Sequence, residues 1–317
     1  MLPYCVKYGR TILIALVPFM LMNIFQSFLV TAELPHYGLI ITIASGVVNV
    51  ILYALFVAVF KFGVIGAAVA TGISQAIGGF IPLFIFIFSK KSKLHLGRTH
   101  FSKKALLKSC ANGSSEFMSN VAVSLVNMLY NWQLMKLLGH NGVTSYGVIM
   151  YVNYIFLSIF FGYSIGSSPV VGYHYGAGNT DELKGLFKKS IRIILVSSVV
   201  LTLTAELLAA PLSKIFVSYD KDLLKATTHA FAIYSASFLI AGINIYASSF
   251  FTALNDGLTS AIISFFRTLV FQVIAVIVLP LIFGSQGIWF AIIAAEALSL
   301  LLSLFFIVSK RKKYSYY

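Results

Sequence analysis

Three long stretches, residues 11–32, 37–60 and 63–88, contain no charged side chain at all. An α-helix needs roughly 20 apolar residues to cross the hydrocarbon core of a bilayer, which is about 30 Å thick. Each stretch is long enough. Six more follow near residues 114–135, 143–172, 193–212, 230–254, 258–283 and 286–309, so the sequence predicts an all-α polytopic membrane protein with nine transmembrane helices. The composition agrees, with 59% hydrophobic and 10% charged residues. A soluble domain is about 45–50% apolar and about 25% charged. A β-barrel is excluded because the runs are too long and do not alternate.

The net charge is +14, and its placement matters more than its size. One cluster holds Lys90, Lys91, Lys93, Arg98, Lys103, Lys104 and Lys108; a second holds Lys184, Lys188, Lys189 and Arg192; a third closes the sequence at Lys310, Arg311, Lys312 and Lys313. If the spans alternate, all three fall on one face, which the positive-inside rule makes cytoplasmic. Their partner is then anionic lipid, not nucleic acid. With a cytoplasmic C-terminus and nine spans, Lys7 and Arg10 stand on the outer side, which predicts a further N-terminal segment upstream.

Shifting the sequence by 221 positions aligns it with itself without gaps. Asn23-Ile24 meets Asn244-Ile245, Thr31-Ala32 meets Thr252-Ala253, Gly63 meets Gly284, Gly66 meets Gly287 and Gln75 meets Glu296. The first three spans therefore repeat as the last three, in the same membrane orientation, as in transporters built from parallel repeats. Spans four to six have no partner. The expected organisation is a partial, three-helix N-terminal lobe over residues 1–90, a basic cytoplasmic loop over 91–111, a complete six-helix C-terminal lobe over 112–309 and a basic tail over 310–317.

Few charges lie at membrane depth, where they are costly and mark function. Glu206 stands near the outer end of its span. Glu296 is placed to pair with Arg267 on the preceding helix. Glu116 opens a stripe with Asn120, Ser124, Asn127 and Asn131. At 100° per residue the five share an arc of about 80°. A carboxylate among amide and hydroxyl oxygens can hold a proton or a hard cation, so Glu116 and Asn120 are the candidate cation-coupling residues and Ser124, Asn127 and Asn131 the candidate cavity lining. Met118, Met128, Met135 and Met150, with 28 Phe and 17 Tyr in the chain, suggest an adaptable apolar chamber. The histidines have no metal-ligand spacing, no Ser, His and Asp set suggests a hydrolase, and neither a metal site nor an enzyme is expected.

The stretch Asn112-Gly113-Ser114-Ser115-Glu116-Phe117-Met118, the run from Gly147 to Asn153, and Gly162-Tyr163-Ser164-Ile165-Gly166 through Pro169 to Asn179 resemble the multidrug and toxic compound extrusion (MATE) family. Gly66 to Thr71 with Ser74-Gln75 does so too. The resemblance implies two six-helix lobes, of which this chain would be helices four to twelve. It implies plasma-membrane efflux of drugs and organic cations by antiport with Na⁺ or H⁺, through alternating access and without a bound cofactor. It carries the acidic residue that starts helix seven onto Glu116. An acidic residue some members carry on helix ten falls near Ala241 and has no counterpart. In the N-terminal lobe, Asn49 and Thr71 match the family's cation site, but its aspartate position is Tyr53 and its helix-one aspartate has no counterpart, so Asn49 and Thr71 are read as a vestigial site. A half-complete lobe implies that the chain by itself does not complete coupled export. The alternatives are a flippase for lipid-linked precursors, which would need several cavity cations, and a non-transporting membrane fragment.

Overall fold

The computed structural model describes residues 2–88, 97 and 102–317, with the side chains at 2–5, 31, 105, 108, 109 and 111–119 left aside. Two compact units emerge, Met1–Ser102 and Lys103–Tyr317. Both are helical.

The first unit holds α1 (Leu2–Ile14), α2 (Leu16–Thr31), α3 (Pro35–Tyr53) and α4 (Gly63–Phe88). Pro18 explains the break before α2. A proline clashes with the carbonyl four residues earlier, here Ile14, and the two helices meet at 45° around Ala15. Pro35 opens α3 at a first-turn position, where its missing N–H costs nothing. A π-helical turn, Ala54–Val59, extends α3. Gly63 then takes φ +59°, which favours glycine. α2 and α3 pack on α4 through small residues. A Cβ on Gly79 would meet the Pro18 carbonyl oxygen at 2.6 Å, and one on Gly78 the Met22 sulfur at 2.6 Å. Close backbone approach of this kind is how helices associate where lipid supplies no hydrophobic drive.

The second unit begins with α5 (Lys103–Gly176), which is broken at Gly139 (φ 64°, ψ −153°) into two helical arms. α6 (Thr180–Val217), α7 (Lys221–Ser235) and α8 (Phe238–Ala253) follow. Asp220 caps α7 by accepting from the Asp222 and Leu223 backbone N–H groups. α9 (Gly257–Phe265), a π-turn at Phe266–Val270, α10 (Phe271–Phe283) and α11 (Ser285–Tyr314) complete it. α8 lies in the middle of the unit, with Phe238, Asn244, Tyr246, Phe250 and Phe251 all buried, and the core gathers around it from α5, α6, α10 and α11.

The 221-residue shift brings two helix breaks of one unit onto breaks of the other, although the π-turns at Ala54–Val59 and Phe266–Val270 do not coincide. α7 and α8 meet at 46° beside Ala236, the counterpart of Ala15. Gly284 takes φ +58°, matching Gly63. Among the described residues, six helices are long and apolar enough to cross a membrane, or up to eight if each bent pair makes one span. The break at Gly139 falls between the two spans expected near 114–135 and 143–172, whereas the expected spans 11–32 and 230–254 run across the bends.

The basic stretch at 310–317 is ordered onto the unit. α11 continues to Tyr314, Ser315 turns left-handed (φ 52°), and the fully buried Tyr316 packs against Phe187 and Phe250 with ring centroids 5.0 Å from each. Its hydroxyl donates to the Ile307 carbonyl at 2.7 Å. Tyr314 donates to Asp256 Oδ2 at 2.7 Å, with Lys310 Nζ 3.6 Å from the same oxygen.

Candidate functional site

A cavity of about 360 Å³ opens inside the second unit. The first arm of α5 contributes Asn120, Asn127 and Tyr130, and the second arm Tyr146, Met150 and Asn153. Tyr234 enters from α7, Arg267 from the π-turn, Gln272 from α10 and Glu296 from α11. π-turns inside helices recur at functional sites because the extra residue re-aims a side chain. Here it directs Arg267 at Glu296.

That pair is the electrostatic centre of the cavity. Arg267 Nη2 lies 2.7 Å from Glu296 Oε1, and Arg267 Nε donates to both carboxylate oxygens at 2.9 and 3.0 Å. The side chains are 13% and 4% exposed. Asn244 of α8 donates to Glu296 Oε2 at 2.7 Å and to the Glu296 carbonyl at 3.0 Å, while its own oxygen accepts from Ser303 at 3.0 Å. A buried charge pair is tolerated only when its remaining hydrogen-bonding capacity is met, and this network meets it from three helices. The pairing expected from sequence is present, and Asn244 is its third member.

Aromatic and amide groups also line the cavity. Tyr130 and Tyr146 stack with centroids 5.1 Å apart and planes within 9°. Tyr146 donates to Asn127 Oδ1 at 2.8 Å and Tyr130 to Gln272 Oε1 at 3.2 Å. The stripe thus divides. Asn120 and Asn127 line the cavity. Ser124 and Asn131 are exposed and bond back to their own helix, to the Asn120 and Asn127 carbonyls at 3.1 and 2.9 Å. The Glu116 side chain lies outside the described residues, as does that of Met118. Of the remaining methionines suggested for a chamber, Met150 lines this cavity, but Met128 and Met135 are 70% and 46% exposed and point elsewhere, because they lie off the stripe's arc.

In the first unit, Asn49 and Thr71 come together through Ser74. Asn49 donates to Ser74 Oγ at 3.2 Å, and Ser74 donates to the Thr71 carbonyl at 2.8 Å. Thr71 itself bonds back to Ala67, and Tyr53 is exposed. Glu206, on α6, accepts from Ser235 at 2.7 Å.

Sequence reasoning missed Tyr130, Tyr146, Asn153, Tyr234 and Gln272. Tyr130 stands three residues past Asn127 and shares its face, so the helical period could have found it. The others come from separate elements and carry no joint signal in the chain.

The MatE family profile matches residues 117–278, just over half of the chain. The chain belongs to the MatE family. It is therefore a multi-pass protein of the plasma membrane, related to multidrug efflux transporters. Among curated relatives, the multidrug export protein MepA of Staphylococcus haemolyticus is 25% identical over 286 residues, which cover 88% of this chain and 61% of that one. The chain thus spans about three fifths of the length of the relatives it matches. The fold also matches the outward-facing conformation of a multidrug resistance MATE family transporter, with a TM-score of 0.86, 19% identity and coverage of 98% of this chain and 69% of the other. An inward-facing conformation of such a transporter gives 0.81, 19% identity and coverage of 99% and 72%. This MatE chain carries its cavity network within the region shared with those folds.

Proposed function

We propose that the chain carries the C-terminal transport unit of a drug and organic-cation exporter driven by antiport with Na⁺ or H⁺. The observation that carries the reading is the charge state of the cavity. Arg267 and Glu296 neutralise each other, and their polar atoms are turned to one another and to Asn244. A cation entering this space needs a carboxylate that is not already spent. The first arm of α5 supplies one by its register. If position 116 is set at 0°, Asn120 falls at about 40°, Asn127 at about 20°, Val123 at about −20° and Tyr130 at about −40°. These four line the cavity, as does Val126 at about −80°, so the helical register carries position 116 within the lining arc, one turn before Asn120. We assign Glu116 and Asn120 to cation coupling and Asn127 to substrate contact; Ser124 and Asn131 fall outside the arc. Substrate and coupling ion then compete for one carboxylate, which makes the exchange obligatory.

The same reading gives the chain nine crossings. Residues 120–176 form one helical stretch of 57 residues, about 85 Å at 1.5 Å per residue, nearly three times the hydrocarbon thickness. Broken at Gly139, it serves as two crossings beside the other seven. In the first unit, Asn49 and Thr71 hold Ser74 and helix packing, as remnants of a cation site. Transport of an anionic lipid-linked precursor would require an uncompensated cation in the cavity, and Arg267 is fully compensated.

The test is efflux of a fluorescent organic cation from vesicles under an imposed Na⁺ or H⁺ gradient, with this chain joined to a complete N-terminal lobe so that both lobes are present. Glu116→Gln is expected to abolish gradient-driven efflux, and Asn127→Ala to raise the substrate concentration needed for half-maximal rate. Efflux that survives Glu116→Gln unchanged refutes the assignment.

A further inference from the structure

A second groove, about 560 Å³, lies between the end of α6 and the start of α7. Ala210, Pro211 and Ala232 give it apolar walls, and Lys214, Lys225 and His229 line it with cationic or proton-bearing groups. Lys225 and His229 are one turn apart and share a face of α7, and Lys214 reaches the groove from α6. All three are exposed. Lys214 follows the apolar run 193–212 by two residues, and His229 immediately precedes the run 230–254. The basic groups therefore stand at the edge of the hydrocarbon core, and the apolar walls continue from them into it.

Their position in the membrane is unusual. Lys188 and Lys214 both lie on α6, separated by about 40 Å of helix, the thickness of a bilayer with its headgroups. The groove thus opens at the surface opposite the Lys184 to Arg192 cluster, where the charge bias of membrane proteins disfavours lysine. Acidic neighbours do not account for the basic groups. Asp220 accepts from the backbone N–H groups of Asp222 and Leu223 at 2.9 and 3.1 Å, and Asp222 is exposed in the first turn of α7. Among the described residues neither Lys214 nor Lys225 forms an ion pair with them.

We propose that this groove seats an anionic phospholipid, with the headgroup phosphate held by Lys214, Lys225 and His229 and an acyl chain along Pro211 and Ala232. A cationic rim above an apolar wall matches a molecule that joins a phosphate to hydrocarbon. A free phosphate makes no use of the wall, and a zwitterionic lipid gains less from the rim because its own cation screens the phosphate. Bound there, the lipid would bridge α6 and α7 at the membrane surface.

Native mass spectrometry of the detergent-purified full chain tests this, with added phosphatidylglycerol or phosphatidylcholine. The wild-type chain is expected to retain one phosphatidylglycerol in preference to phosphatidylcholine. Each basic residue near an anionic lipid surface contributes a factor of about five, so the double variant K214Q/K225Q should lose retention more than tenfold, and K214R/K225R should keep it. The variant K136Q, an exposed lysine of α5 outside the groove, should retain the lipid as the wild type does, and unchanged elution in size-exclusion chromatography checks that each variant is folded. Equal retention by K214Q/K225Q, equal retention of phosphatidylcholine by the wild type, or displacement of the lipid by millimolar inorganic phosphate would each overturn the proposal.

Discussion

Replacing Arg267 by glutamine leaves the Glu296 carboxylate, 4% exposed, with Asn244 as its side-chain partner. Three contacts of 2.7, 2.9 and 3.0 Å disappear. Removing one member of a buried ion pair costs about 3–5 kcal/mol, because the other charge stays desolvated. Glu296→Gln carries a similar cost, since its amide N–H₂ would face guanidinium donors. For a domain the size of Lys103–Tyr317, each kcal/mol moves a melting midpoint by about 2–4 °C, so each single variant should melt about 10 °C lower in detergent. The double variant R267Q/E296Q is different. Two neutral amides can hydrogen-bond to one another and to Asn244, and no charge is stranded. Its loss should be about 1–2 kcal/mol, which against two singles of about 3–5 kcal/mol makes the coupling between the two sites at least about 4 kcal/mol in a double-mutant cycle. If the double variant falls by the sum of the singles, the two residues are not energetically paired and the network is misread.

Further expectations follow from packing and protonation. A Cβ on Gly287 would meet the Leu279 carbonyl oxygen at 2.2 Å, so Gly287→Ala should sharply lower folded yield. Gly185→Ala, where a Cβ meets nothing within 4 Å, should be neutral or stabilise α6 by about 0.5–1 kcal/mol; thermal melts of the two variants separate close packing from propensity. Tyr316→Phe should cost about 1 kcal/mol for its lost hydrogen bond, and Tyr316→Ala about 3–5 kcal/mol for the vacated aromatic site. Partial desolvation opposes ionisation of Asp256, but hydrogen bonds from Tyr314 and Thr259 and the nearby Lys310 outweigh it and hold the carboxyl below its usual range. A carboxyl with a depressed folded value stabilises above its unfolded pKa and loses that contribution as pH falls through the folded one. Melting midpoints of the wild type should therefore fall below about pH 4 by more than those of Asp256→Asn.

How much of this was legible in the chain depended on whether the cause is local. Gly63, Gly139 and Gly284 take left-handed φ values and stand between apolar runs, so the helix breaks there could be read directly. The bend at Ala15 has a local cause in Pro18, yet the uncharged run across it reads as one continuous span. Its counterpart at Ala236 has neither proline nor glycine beside it, and hydropathy alone offers no reason to break there. The polar stripe was legible as a cavity-lining face, but which of its members reach the cavity was not. Asn127 lies within the lining arc and Asn120 at its end, while Ser124 and Asn131 sit about 20–40° beyond Asn120 by the ideal helical period of about 100° per residue, enough to leave them outside. The π-turn that aims Arg267 has no sequence signature, so the pairing with Glu296 could be anticipated from neighbouring helices but its geometry could not.

The repeat explains why the charged network occurs in one unit. By the 221-residue shift, Arg267, Glu296 and Asn244 correspond to Gly46, Gln75 and Asn23. The backbone breaks are kept in both copies, at Ala15 and Ala236 and at Gly63 and Gly284. The side chains are not. Asn23 bonds back to the Phe19 carbonyl of its own helix at 2.8 Å, whereas the equivalent Asn244 is fully buried and holds Glu296. An asparagine at this register is thus compatible with either use, and the acid on the neighbouring helix selects between them. With Gln75 in place of an acid there is no charge to satisfy, and Gly46 supplies no guanidinium. Introducing a carboxylate at position 75 alone would bury a charge without a cation from the arginine position. The two positions must change together, which is the same coupling the Arg267–Glu296 cycle measures in the second unit. A duplicated scaffold fixes where the helices break. The paired substitutions decide which copy can hold charge at membrane depth.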